Sequence, residues 1–119
     1  MIAAGHTVAR DLARLHLGRG QVLTDSASTF PVILNSSDQR IFVIPADRDF
    51  ERTLSDPAAF GVRYLLVPDP RAAGYDSLND SRATLFENGA GIAHLVKDWQ
   101  LGSGFPHLRL YELDERIHR

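Results

Sequence analysis

The stretch Gly61-Val-Arg-Tyr-Leu-Leu-Val-Pro-Asp-Pro70 decides the fold. Its apolar run, Val62 to Val67 with Arg63 the one polar member, has strand length and is too short for a helix. An almost unbroken apolar run suits a strand covered on both faces, as the strands of parallel sheets are. Pro-Asp-Pro then closes it abruptly. A buried sheet is therefore expected at the centre of a small α/β domain.

Working outward, the flanking segments supply partners for that strand. Residues 6 to 17 read as an amphipathic helix, with Val8, Leu12 and Leu15 on one stripe, Arg10, Asp11 and Arg14 opposite, and Gly18 and Gly20 as the stop. Gln21 to Asp25 reads as a short strand that breaks into the polar run Asp25-Ser-Ala-Ser-Thr29. A helical turn over Phe30 to Leu34 follows, with Pro31 suited to its first positions. Ile41 to Ile44 is a second strand stopped by Pro45, and Asp47 is a plausible N-cap for a helix reaching Ser55. Pro68 to Asp80 reads as the longest loop, and Ser81 to Asn88 as a helix stopped at Gly89. Ile92 to Trp99 and His107 to Leu113 read as the two strands of an antiparallel hairpin. In the second, Leu108, Leu110 and Glu112 alternate with Arg109, Tyr111 and Leu113. The expected fold is thus α/β: a small three-layer-like sandwich whose mixed sheet has three parallel strands plus a C-terminal antiparallel hairpin, residues 1–119 forming one domain.

Bulk properties narrow the class. A chain of 119 residues is long enough for one hydrophobic core. With 44% hydrophobic and 24% charged residues it has globular rather than disordered composition. A net charge of −2 with interspersed signs carries no footprint for nucleic acid or an anionic membrane surface. The absence of cysteine excludes disulfides and thiolate zinc sites. No apolar run reaches the ~20 residues of a membrane span, and the first residues lack the pattern of a signal peptide.

Ligands of open α/β sheets sit outside the carboxyl ends of the parallel strands. Those ends supply Asp25 and Ser26, then Pro45 to Asp47, then Asp69. Carboxylates gathered at one edge can hold a divalent cation, although Asp is also a common turn former and helix cap. The Asp25–Thr29 run has hydroxyls for a phosphate but neither the glycines nor the Lys-Ser/Thr pair of a P-loop. The five histidines show no i, i+4 pair and no His-Glu-x-x-His, and no Gly-x-Ser-x-Gly elbow occurs. Trp99 reads as a core-edge residue with its N–H tied locally, and His94 and His107 as strand residues near the hairpin surface. No catalytic residue, metal site or cofactor is assigned. The candidate ligand contacts are Asp25, Ser26, Asp69 and, in the Pro68–Asp80 loop, Arg71, Tyr75 and Asp76.

Val22-Leu-Thr-Asp25, Phe42-Val-Ile44, Phe50…Leu54-Ser-Asp-Pro57, Gly61 to Pro70, Tyr75-Asp-Ser-Leu78, Phe86-Glu-Asn-Gly89 and Leu108-Arg-Leu-Tyr-Glu-Leu113 occur in an order that resembles a known group. The likeness is to the soluble C-terminal region of actinobacterial multi-pass membrane proteins of the GT-C glycosyltransferase superfamily, dolichyl-phosphate-mannose-type and arabinosyltransferase-like. It covers roughly residues 8 to 113. The resemblance implies an excised C-terminal extracytoplasmic domain of a cell-membrane protein, without the acidic residues that handle the lipid-linked donor in that superfamily. Its implied role is accessory: binding a cell-wall glycan, an acceptor or a protein beside the parent membrane domain, with no nucleic acid involved. An independent cytoplasmic small-molecule or nucleotide binder is the alternative. A hydrolase using Ser26 or Ser28 with a histidine is a third.

Overall fold

The computed structural model describes residues 2–102 and 104–114, a body of 39 × 29 × 25 Å. Five strands form one mixed sheet: β1 (Val22–Leu23), β2 (Phe42–Val43), β3 (Tyr64–Pro68), β4 (Ala93–Trp99) and β5 (Leu108–Leu113), in the order β2-β1-β3-β5-β4. Strands β1, β2 and β3 run parallel, and β5 joins them antiparallel to β3 before pairing with β4 as a hairpin. This is the mixed sheet expected from the sequence, and every residue of β3 is buried.

The alternation of side chains sorts the core into two layers. Val22, Phe42, Tyr64, Leu66, Leu108 and Leu110 meet Val8, Ala9 and Leu12 of α1 (Ile2–Ala13) and Val32 and Ile33 of α2 (Ser26–Leu34). On the other face Leu23, Leu65, Val67, Tyr111 and Leu113 meet α3 (Phe50–Ser55), α5 (Ser77–Ser81) and α6 (Leu85–Asn88) through Phe50, Leu54, Leu78, Leu85 and Phe86. Period-2 alternation in β5 decides which side chain joins which layer, as the sequence predicts. Helices α1 and α2 approach so closely that a Cβ on Gly5 would lie 2.8 Å from the Pro31 carbonyl oxygen.

Several boundaries differ from the sequence expectation, each for a local reason. His16 takes a left-handed φ of 53°, which ends α1 before Gly18 and leaves Leu15 on the surface. Ser26–Thr29, expected as an irregular run, forms the first turn of α2, so Pro31 lies inside that helix. Asp47 does not cap α3: its carboxylate accepts from Ile44 N–H at 2.8 Å, and the helix begins at Phe50. The expected loop Pro68–Asp80 contains α4 (Pro70–Ala73) and the start of α5, each with an aspartate cap. The helix expected over Ser81 to Asn88 is broken at 82–84, with α6 beginning at Leu85. Trp99 is buried and donates its Nε1–H to Asp11 at 2.9 Å, the core-edge role expected of it. None of the described helices is long and apolar enough to cross a membrane.

Candidate functional site

The carboxyl ends of β1 and β3 bring four of the six candidate residues into two adjoining groups. The first forms around Asp25. Its backbone places it at the N-cap of α2, where Oδ1 accepts from Ala27 N–H at 3.1 Å. Its other oxygen reaches 52 residues along the chain, accepting from Ser77 N–H at 2.8 Å and Ser77 Oγ–H at 2.6 Å. Asp25 thus caps one helix and clasps the start of another. Burial works against its charge, yet the hydrogen bonds from Ser77 and Ala27 outweigh it and hold the carboxyl below its ordinary pKa. Directly beneath, Thr24 Oγ1–H donates to the Leu66 carbonyl at 2.9 Å and lies 3.0 Å from Thr29 Oγ1, tying β1, β3 and α2 together.

Asp76, the residue before Ser77, caps α5 by accepting from Asn79 N–H through Oδ2 at 3.0 Å. It is only 2% exposed, and its Oδ1 has no hydrogen-bond partner. Asn79 donates Nδ2–H to the Pro68 carbonyl at 2.9 Å, while its own Oδ1 is buried and unpartnered. Burial and, secondarily, the nearby Asp25 charge push the Asp76 carboxyl up to about 6. The sequence singles out Asp25 and Asp76 separately. Ser77 and Asn79, which complete the group, carry no local signal that distinguishes them from loop residues.

The second group lies at the junction of β3 and β5. Asp69 caps α4 through Arg71 N–H at 2.9 Å and holds the Arg71 guanidinium at 3.1 and 2.9 Å. The Arg71 hydrogen bonds keep the Asp69 carboxyl below its ordinary pKa. These two residues border a cleft of about 350 Å³ that is also lined by Phe86, Glu87, His107 and Arg109. Across it, Asp98 Oδ2 lies 2.8 Å from His107 Nε2 and accepts from Arg109 Nε–H at 2.7 Å. Arg109 also donates to the Phe86 carbonyl at 2.8 Å and stacks 4.5 Å over the Phe86 ring. Each guanidinium is therefore oriented by a carboxylate, and the cleft is lined by both donors and acceptors. Asp98, His107 and Arg109 come together only through the hairpin register, which pairs Asp98 with Arg109.

Ser26 is the first residue of α2 and is half-buried. Tyr75 stands apart from both groups: it is 70% exposed and borders a separate polar cleft with Glu51, Ser77, Asp80 and Arg82. Among the described residues no three acidic or histidine side chains converge as a metal-ligand set. The backbone N–H groups that would receive a phosphate at the strand ends, those of Ala27 and Ser77, point instead at Asp25. Compared with known proteins, the chain matches no family model, no curated protein and no solved structure.

Proposed function

We propose that this chain is a noncatalytic accessory domain of a membrane-bound glycosyltransferase-like protein, placed on the extracytoplasmic side and contacting a cell-wall glycan or acceptor. One observation carries the noncatalytic part: the Asp25 carboxylate, at the edge where such sheets bind ligands, is spent on Ala27 and Ser77. Asp69 is likewise spent on its own helix cap and on Arg71. A general base needs a free, correctly poised oxygen within reach of substrate, and neither side chain offers one. The glycosyltransferase context rests on the ordered resemblance described above. The cleft between Asp69–Arg71 and His107–Arg109 suits a hydroxyl-rich ligand, because both donors and acceptors are already held in place. A nucleotide-binding module is disfavoured by the occupied amides at Asp25.

Two measurements test the proposal. The mass and membrane topology of the native gene product should reveal several hundred residues more than this segment, with multiple spans and this domain outside the cytoplasm. The isolated domain should give chemical-shift changes at Arg71, His107 and Arg109 on titration with cell-wall oligosaccharide, and no glycosyl transfer. A native product confined to these 119 residues would overturn the accessory role.

A further inference from the structure

We infer that the pocket formed by Asp25, Asp76 and Asn79 is a proton-binding site that makes the segment from Gly74 to Ser81 an acid-tightened strap on the sheet edge. The strap is attached by a few identifiable bonds. Ser77 donates twice to Asp25, and Asn79 donates to the Pro68 carbonyl. Gly74, at φ 73°, opens the segment in a backbone region that favours glycine, and Tyr75 beside it projects into solvent. Beneath these attachments lie two buried oxygens, Asp76 Oδ1 and Asn79 Oδ1, that accept nothing. Buried acceptors without donors are costly, and a carboxylate in that state more so than an amide.

The chemistry of the surroundings selects the occupant. Among the described residues no cation compensates the two neighbouring carboxylates. Arg71 is held by Asp69, and Arg82 donates to the Leu54 and Ser55 carbonyls. The other charged groups on α5 and the elements packed against it are Asp80 on α5 itself, Glu51 and Arg52 on α3, and Glu87 on α6; none of them hydrogen-bonds Asp76. Both Asp25 oxygens already accept hydrogen bonds, which weakens them as metal ligands. The two neighbouring clefts are lined by Ser77 or by Asp69 but by neither Asp76 nor Asn79. A proton needs no cavity. On Asp76 it removes the buried charge and the repulsion with Asp25, which the Asn79 and Leu78 backbone N–H groups offset only in part, and it adds a donor beside two oxygens that have none. Local opening that hydrates Asp76 must then compete with that proton, so the strap is held more tightly in acid than at neutral pH.

The test is a carbon-detected NMR titration of the Asp76 carboxyl in the wild-type domain, paired with hydrogen exchange of the Ser77–Ser81 amides. The expected midpoint is about 6. Amide protection factors, corrected for intrinsic exchange, should rise about tenfold between pH 7.5 and pH 5. Asp76→Asn keeps a good N-cap but carries no charge, so its protection should be as high at pH 7.5 as at pH 5. A midpoint in the ordinary range near 4, or protection independent of pH, would overturn the inference. A midpoint of 6 that falls on adding millimolar calcium or magnesium, with protection rising at pH 7.5, would also overturn it by assigning the pocket to a cation. The wild-type titration decides the matter even if the variant does not fold.

Discussion

Two carboxylate clusters sit at the ends of the same sheet and solve the same electrostatic problem in opposite ways. At the parallel end, Asp25 is buried and held by two backbone N–H groups and a hydroxyl. At the hairpin end, Asp98 is a third exposed and held by the cationic side chain of Arg109 and by His107. Depth accounts for the choice. Bringing a guanidinium to the buried site would add its own desolvation cost, whereas amide dipoles are present in any case at helix starts. Near water, a guanidinium keeps part of its hydration and can serve. Burial alone would raise both carboxyls, yet the bonds from Ser77 and Ala27 lower Asp25, and those from Arg109 and His107 lower Asp98. Asp76, buried like Asp25 but short of donors, moves the other way.

Deleting each carboxylate in turn tests the role of depth most directly. Asp25→Ala leaves two N–H groups and a hydroxyl without their acceptor at a part-buried site. It should cost about 1.5–3 kcal/mol in urea unfolding, the sum of a lost cap and of part-buried donors left without an acceptor. A loss under 1 kcal/mol would mean that water enters the clasp, and the contrast with the hairpin would disappear.

The next effect has the opposite sign. Asp76 has a folded-state pKa raised above its unfolded value of 3.8, to about 6. Its stabilising contribution is therefore full below 3.8 and is lost as pH rises through about 6. Asp25 and Asp98, with depressed values, contribute above 3.8 and lose their contribution as pH falls below it. Replacing Asp76 by Asn should accordingly stabilise the domain by about 1–3 kcal/mol at pH 7.5, with the gain vanishing near pH 4. Thermal melts of both proteins across pH 4 to 8 check this. Curves separated by a constant amount would show that Asp76 is not the titrating group.

Asp98→Ala ranks third. Arg109 and His107 lose a partner but stay at the rim of a cleft, where water can replace it. The expected cost is about 0.5–1.5 kcal/mol, smaller at high salt. A cost equal to that of Asp25→Ala would show that depth is not what separates the two clusters.

The hairpin and the central strand were legible in the sequence because their signals are periodic. Leu108 and Leu110 fall on one face and Tyr111 and Leu113 on the other, and a buried face tolerates no other register. The Pro68–Asp80 segment was not legible as helix, since α4 and α5 are four and five residues long and too short to show a stripe. Their start signals were nevertheless present: Asp69 before Pro70, and Asp76 three residues ahead of Asn79. The candidate site was half legible. Carboxylates at strand ends can be named from topology, so Asp25 and Asp69 were found, and Asp76 was picked as a residue of the long loop. Their partners could not be: Ser77 reaches Asp25 across 52 positions, and Asp98 meets His107 and Arg109 only once the hairpin register is set. Tyr75 was singled out as a large side chain in a loop, and it borders a different cleft from Arg71.

The smallest expected effect separates stability from function. Arg71 is the most exposed partner in either cluster, 85% exposed against 10% for the Asp69 side chain it pairs with. Exposed ion pairs contribute little because water solvates each member nearly as well as the partner does. Asp69 would keep its bond from the backbone N–H of residue 71 after truncation, so the α4 cap survives. Arg71→Ala should therefore leave the urea midpoint unchanged within error. If the cleft is used as proposed, the same change removes one of its oriented guanidiniums and weakens oligosaccharide binding severalfold, read as a shift in the NMR titration midpoint. Unchanged stability with unchanged binding would restrict Arg71 to the surface and move the binding face elsewhere. Reduced stability would mean that the Asp69–Arg71 pair behaves like the buried clasp despite its exposure.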